Sequence, residues 1–265
     1  MNYLYHYSIL QRFALIYNML TQAKDNRSLK ANLMLASSTA MVAGIINVAG
    51  VIAFLAFTTN VTGHVALLAR KVNAQDVEEV VTVFVWLLMF FVGAFVSHFL
   101  VRTFERRSLY LAHAMPILLE MIVLLFIAVY GNHFFDGTDR EREVIIGAMM
   151  FSMGLQNSLV STISGGLIKS SHLTGLFTDV GADVAEWLHP RTAKTEAVKN
   201  RLYVRFTVLG FYFLGAIAGG YLFEIVNFKV FYFLPIILIT ILLYDIWDAG
   251  ITNLRTKLAP ANKTE

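Results

Sequence analysis

A chain of 265 residues that is 57% hydrophobic and only 15% charged, with a mean hydropathy of +0.63, is too apolar for an ordinary soluble domain. It has no cysteine, which excludes a disulfide framework and thiolate chemistry. A net charge of +3 and a pI near 9.0 match the excess of Lys and Arg that multi-span proteins carry on one face, so no nucleic-acid partner is read from them.

Residues 1–33 read as a cytoplasmic amphipathic segment. Within them 3–20 are rich in Tyr, Phe and Leu but broken by His6, Gln11, Arg12 and Asn18, which suits a helix on the inner membrane surface better than a cleavable signal. Six apolar blocks follow, at about 34–57, 80–101, 109–130, 144–168, 206–226 and 230–250, each near the roughly 20 residues that cross hydrocarbon. The first, second and fourth contain no Asp, Glu, Lys or Arg, whereas a soluble bundle would place charges along each helix. Between the third and fourth blocks, 131–143 is a solvated connector with Gly131, Asp136, Gly137, Asp139 and Glu141. Residues 251–265 are a polar tail. Of the 21 Lys and Arg, only Arg70, Lys71, Arg140, Arg142 and Lys229 fall on the face opposite the N-terminus, which predicts that both termini are cytoplasmic.

The chain also repeats itself. Gly44-Ile45-Ile46-Asn47 and Asn60-Val61-Thr62-Gly63-His64 in the first half answer to Gly154-Leu155-Gln156-Asn157 and His172-Leu173-Thr174-Gly175-Leu176 in the second. Gly93-Ala94 answers to Gly215-Ala216, and Pro116-Ile117-Leu118-Leu119 to Pro235-Ile236-Ile237-Leu238. Four landmarks in one order predict a duplicated unit, 34–130 and 144–250. Three spans per copy is an odd number, so the second copy enters the membrane from the other side. The expected fold is an all-α membrane protein of six transmembrane helices, arranged as a three-plus-three inverted-topology repeat. The second copy is longer, with the extra residues expected within 189–203.

The motifs G-x-x-N, N-V-T-G-H-V, G-L-Q-N and H-L-T-G-L-F-T-D resemble the YoaK family of bacterial membrane proteins, which carries the domain of unknown function DUF1275. The resemblance covers 36–250 and implies six spans in a bacterial inner membrane. It implies no substrate. The chain departs from many members at Asn47, where they have an acid, and at His64, where they have Asn.

Several residues are candidates for a site. Symmetrical helix breaks are the strongest sequence pointer to a transporter binding site, which nominates Asn60, Thr62, Gly63 and His64 with His172, Thr174 and Gly175. The alternative is that both Thr-Gly pairs cap helices at the interface. Asn47 and Asn157, with Gln156 beside the latter, are amides within apolar spans, either lining a site or bonding one helix to another. Glu120 lies mid-span among Leu118, Leu119, Met121 and Ile122. An ionised carboxylate there costs at least ~2.5 kcal/mol, which makes it a candidate proton carrier. The alternative is a neutral, hydrogen-bonded Glu that helps helices pack. His113, two helical turns earlier on the same face, extends the candidate relay. Asp179 is a candidate because it follows Thr178 in the part that resembles the family motif. Asp183 and Glu186, continuing its stripe, read as the wet face of an amphipathic helix.

No hydrolase, phosphate-binding or dinucleotide motif is present, and the seven His lack metal-ligand spacing, so neither enzyme activity nor a cofactor or metal is expected. The leading reading is a small-solute transporter, proton-coupled through Glu120, whose partners are the lipid bilayer and a solute that the sequence does not identify. The alternative is a non-transporting accessory, sensor or assembly protein. Gly93, Gly215 and Gly219 serve either internal packing or a homo-oligomer contact.

Overall fold

The computed structural model describes residue 20, residues 27–191 and residues 194–244. The amphipathic helix expected at 3–20 therefore lies outside the described residues except for Leu20, as do the tail 251–265 and the end of the block 230–250. The described chain folds into helices α1 (Leu29–Phe54), α2 (Val61–Asn73), α3 (Val77–Phe104), α4 (Leu109–His133), α5 (Asp139–Ser164), α6 (Leu173–Leu188) and α7 (Glu196–Val226). A 3-10 turn, Asn227–Tyr232, then leads into α8 (Leu234–Tyr244).

Local signals set these boundaries. Ser28, Asp76, Ser108, Thr138 and Thr195 cap α1, α3, α4, α5 and α7, each accepting a backbone N–H three residues on. At Thr138 the cap is reciprocal, because Glu141 bonds back to the Thr138 N–H. Gly165 ends α5 at φ 65, a conformation only glycine adopts without strain.

Five helices are long and apolar enough to cross a membrane: α1, α3, α4, α5 and α7 with its 3-10 extension. Within the described residues α8 is apolar but short. In contrast, α2 and α6 are short and amphipathic. Burial divides the long helices. In α1 and α5, 61% and 67% of the apolar stretch is buried, against 17% and 28% in α3 and α7. The first pair is the centre and the second the periphery, with Phe91, Phe95 and Phe99 on α3 and Phe206, Phe213 and Tyr221 on α7 facing outward. An exterior this apolar suits lipid.

Glycines seat the peripheral helices on the central ones. Gly215 lies on Met41, Gly219 on Ile45, and Gly220 on Val48 and Ile52, so α1 and α7 run parallel. Gly147 lies on Met89, Gly93 on Phe151 and Leu155, and Gly154 on Phe90 and Ala94, so α3 and α5 are parallel too. A Cβ added to Gly93 would sit 3.0 Å from the Leu155 nitrogen, and one on Gly154 would sit 3.0 Å from that of Ala94. The backbones thus touch directly, the packing that small residues allow where no hydrophobic force separates helix from lipid. Gly93, Gly215 and Gly219 are used within the chain. α4 packs on α5 and on the 3-10 turn.

α6 has 16 residues against 13 in α2, α7 has 31 against 28 in α3, and the connection between them is longer as well.

Candidate functional site

α1 and α5 both stop short, and the chain re-enters a helix after a few irregular residues. The break does not fall at the Thr-Gly pairs. It falls just before them, after Phe54 and after Ser164, and each pair occupies the first turn of the next helix. The two re-entry residues share one backbone conformation: Asn60 has φ −95 and ψ 70, and His172 has φ −93 and ψ 67. Glycine three residues later leaves room for their side chains. A Cβ on Gly63 would strike the Asn60 amide, and one on Gly175 would come within 2.6 Å of the His172 ring. Asn60 uses that room to accept the Gly63 N–H at 2.9 Å, whereas His172 makes no such cap bond.

Between these two re-entry points lies a cavity of about 790 Å³. Its wall is built in matched pairs from the two halves: Asn47 with Asn157, Asn60 with His172, Thr62 with Thr174, Thr59 with Ser171 and Phe90 with Tyr212. Six candidate residues therefore converge there: Asn47, Asn60, Thr62, Asn157, His172 and Thr174. Gly63 and Gly175 stand behind the wall and shape it through the side chains they admit.

The other candidates lie elsewhere. His64 is buried away from the cavity, its Nε2 2.7 Å from the Phe57 carbonyl and its ring edge-on to Trp86. Asp179 accepts from Lys169 at 2.7 Å, and Lys169 rather than Asp179 reaches the cavity. That bond, with Arg205 nearby, holds the Asp179 carboxyl below the usual carboxylate range. Asp183, expected on a wet face, is instead buried at 3% exposure, because Arg201 and Arg205 of α7 reach across to it. Glu186 does remain exposed, bonded to Arg201 at 2.8 Å.

Glu120 is buried in α4, and its Oε1 accepts from Gln156 Nε2 at 2.9 Å. Gln156 Oε1 accepts from the Ser170 hydroxyl at 3.1 Å, and that same hydroxyl lies 3.4 Å from Asn157 Oδ1 in the cavity wall. A continuous polar chain thus joins the buried acid to the cavity. His113 is not part of it, since its Nδ1 meets the Leu20 carbonyl. On the other side, Asn47 Oδ1 accepts from Thr59 at 3.1 Å and Thr58 at 3.5 Å, within reach of the Tyr212 hydroxyl.

Lys169, Ser170, Ser171, Thr59 and Tyr212 were not nominated from the sequence. The signal existed for four of them: a polar pair, Thr58-Thr59 or Ser170-Ser171, directly precedes each re-entry, and Tyr212 stands three residues before Gly215 as Phe90 does before Gly93. Among the described residues no group of three or more His, Asp or Glu is placed to hold a metal ion.

Fold and site together define a helical protein of membrane type with a polar cavity between two short-helix re-entries. The chain belongs to the DUF1275 family of proteins of unknown function, whose model matches residues 35–244. No curated protein and no solved structure matches it.

Proposed function

We propose that the chain is a small-solute transporter of the bacterial inner membrane, with six spans in a three-plus-three inverted repeat and both termini cytoplasmic. On this reading α1, α3 and α4 form one copy and α5, α7 and α8 the other. The parallel courses of α1 with α7 and of α3 with α5 support that arrangement, because each copy then lends its first helix to the second helix of the other. The observation that carries the function is the cavity itself, walled by paired residues from both halves and interrupting otherwise apolar helices. Irregular backbone survives at such a depth only where protein or water surrounds it.

Transport then proceeds by the two halves rocking about the cavity so that it opens to one side at a time. Glu120 couples a proton to that motion. Gln156 and Ser170, rather than His113, link the charge state of Glu120 to the solute site by hydrogen bonds.

The absence of cysteine makes the test direct. Single cysteines at Thr62 and Thr174, labelled in sealed vesicles with a membrane-impermeant maleimide, should each react from one face, with the reactive face alternating as pH or solute changes. Fixed reactivity at both, with no response to Glu120→Gln, rejects the mechanism.

A further inference from the structure

The chemistry of the cavity wall identifies what it holds. Asn60 spends its carbonyl oxygen on the Gly63 N–H, which leaves its NH2 group as a donor. Asn157, whose Oδ1 lies 3.4 Å from a Ser170 hydroxyl that serves the closer Gln156, also lines the wall. Ser171 lines the cavity at 5% exposure with a hydroxyl that no protein group partners. Such a group in a folded protein calls for a missing partner.

Charge points the same way. None of the residues lining the cavity is Asp or Glu, whereas Lys169 is among them, its partner Asp179 lying outside the wall. The N-termini of α2 and α6 both begin at this wall, at Asn60 and His172, and α6 has no side-chain cap over its first N–H groups. Helix N-termini and free N–H groups favour negative charge.

We infer that the cavity binds a small anion of carboxylate or phosphate type, held by Lys169, Ser171, the Asn60 NH2 group and the start of α6. This rests on the transporter reading for its consequence, since an anion taken up with the proton on Glu120 would cross with its charge offset. The binding itself does not depend on transport.

The test is thermal unfolding of the purified full chain in detergent, at fixed ionic strength and in a constant chloride background. Acetate, benzoate and inorganic phosphate are compared with choline and glycerol, and nanodiscs of phosphatidylglycerol with nanodiscs of phosphatidylcholine. The expected result is a saturable rise in Tm with at least one soluble anion and none with choline or glycerol. Lys169→Gln should raise the half-saturating concentration about tenfold or more, the worth of one hydrogen bond to a charged group, and Lys169→Arg should restore it. Ser171→Ala should weaken binding without lowering the Tm of the unliganded protein. A rise confined to phosphatidylglycerol discs, still lost in Lys169→Gln, upholds the anion site and makes its occupant a lipid headgroup. No response to any anion, or an equal response to glycerol, overturns the inference. A transporter of neutral solutes would fail here yet still show alternating cysteine reactivity. A protein that binds anions without transporting them would do the reverse.

Discussion

Replacing Gly154 with alanine tests a direct backbone contact between α3 and α5. The new methyl would lie 3.0 Å from the Ala94 nitrogen and closer still to the Phe90 carbonyl, and both are backbone atoms that no rotamer change can move. α3 and α5 must therefore separate, and overpacking of this kind costs ~1–3 kcal/mol. Alanine is also the better helix former by roughly 0.8–1 kcal/mol, which partly masks the strain. Gly210 removes that ambiguity. It lies inside α7 with nothing within 4 Å of its added Cβ, so Gly210→Ala gains the propensity without the clash. The stability gap between Gly154→Ala and Gly210→Ala should then be the overpacking cost alone, about 1–3 kcal/mol. Gly44→Ala should fall beside Gly154→Ala, because its methyl would meet the Ala216 nitrogen at 2.9 Å.

Reversible unfolding in mixed micelles, followed by helical circular dichroism, reads these differences. A second substitution on the same crossing, Gly93→Ala, should add less to Gly154→Ala than its own cost, since the helices have already been wedged apart. Gly215→Ala, on the other crossing, should add in full. If Gly154→Ala proves as stable as Gly210→Ala, direct backbone contact does not hold α3 to α5.

Other expectations follow from single contacts. Asn60→Ala should cost about 1 kcal/mol by removing the α2 cap, whereas His172→Ala should leave stability unchanged because His172 caps nothing; the same unfolding assay separates them. Asp183→Asn should cost about 1–3 kcal/mol, as it removes one of the two acidic partners of a mostly buried Arg205, which keeps Asp179, and trypsin should then cleave sooner between α6 and α7. The Lys169–Asp179 pair should stabilise fully at pH above the ordinary Asp value of 3.8. Because the folded carboxyl titrates lower than the unfolded one, that contribution fades only as pH falls from there through the lower folded value, and Asp179→Asn should abolish this acid limb while leaving the neutral range flat.

Much of this was legible because the physics acts locally. The apolar blocks predicted the five long helices to within a few residues at most ends, although α7 begins ten residues before its apolar block, at Glu196, where the Thr195 cap starts it. Asn47 and Asn157 could be nominated because an amide in an apolar span needs a partner. What a side chain meets across a helix interface was harder to read. Asp183 carries the spacing of a wet stripe, yet two arginines on α7 bury it. His113 and Glu120 share a helix face, which suggested a relay, but His113 bonds to Leu20 and Glu120 bonds across to α5. A Thr-Gly pair at the edge of an apolar helix suggests a helix break. The glycines of the two pairs act instead by leaving space for the residue three places earlier, a role that only the backbone geometry makes visible.

The two halves differ where chemistry would need them to. Ser170 bonds to Asn157 much as Thr58 does to Asn47, and both hydroxyls are fully buried. Beyond that shared contact the copies diverge. Gln156 matches Ile46, and Glu120 matches Ile239, so the acid and its hydrogen-bond donor are both replaced by isoleucine in the other copy. They have to change together, because a carboxyl or an amide left alone in an apolar interior costs more than the pair does. On the proposed repeat, the matched residues therefore build the cavity, and the unmatched pair gives only the second wall a hydrogen-bonded link to a buried acid. Such one-sidedness is what coupling would require: were the same link present in both walls, protonation would act alike on the two halves and could not favour one opening over the other.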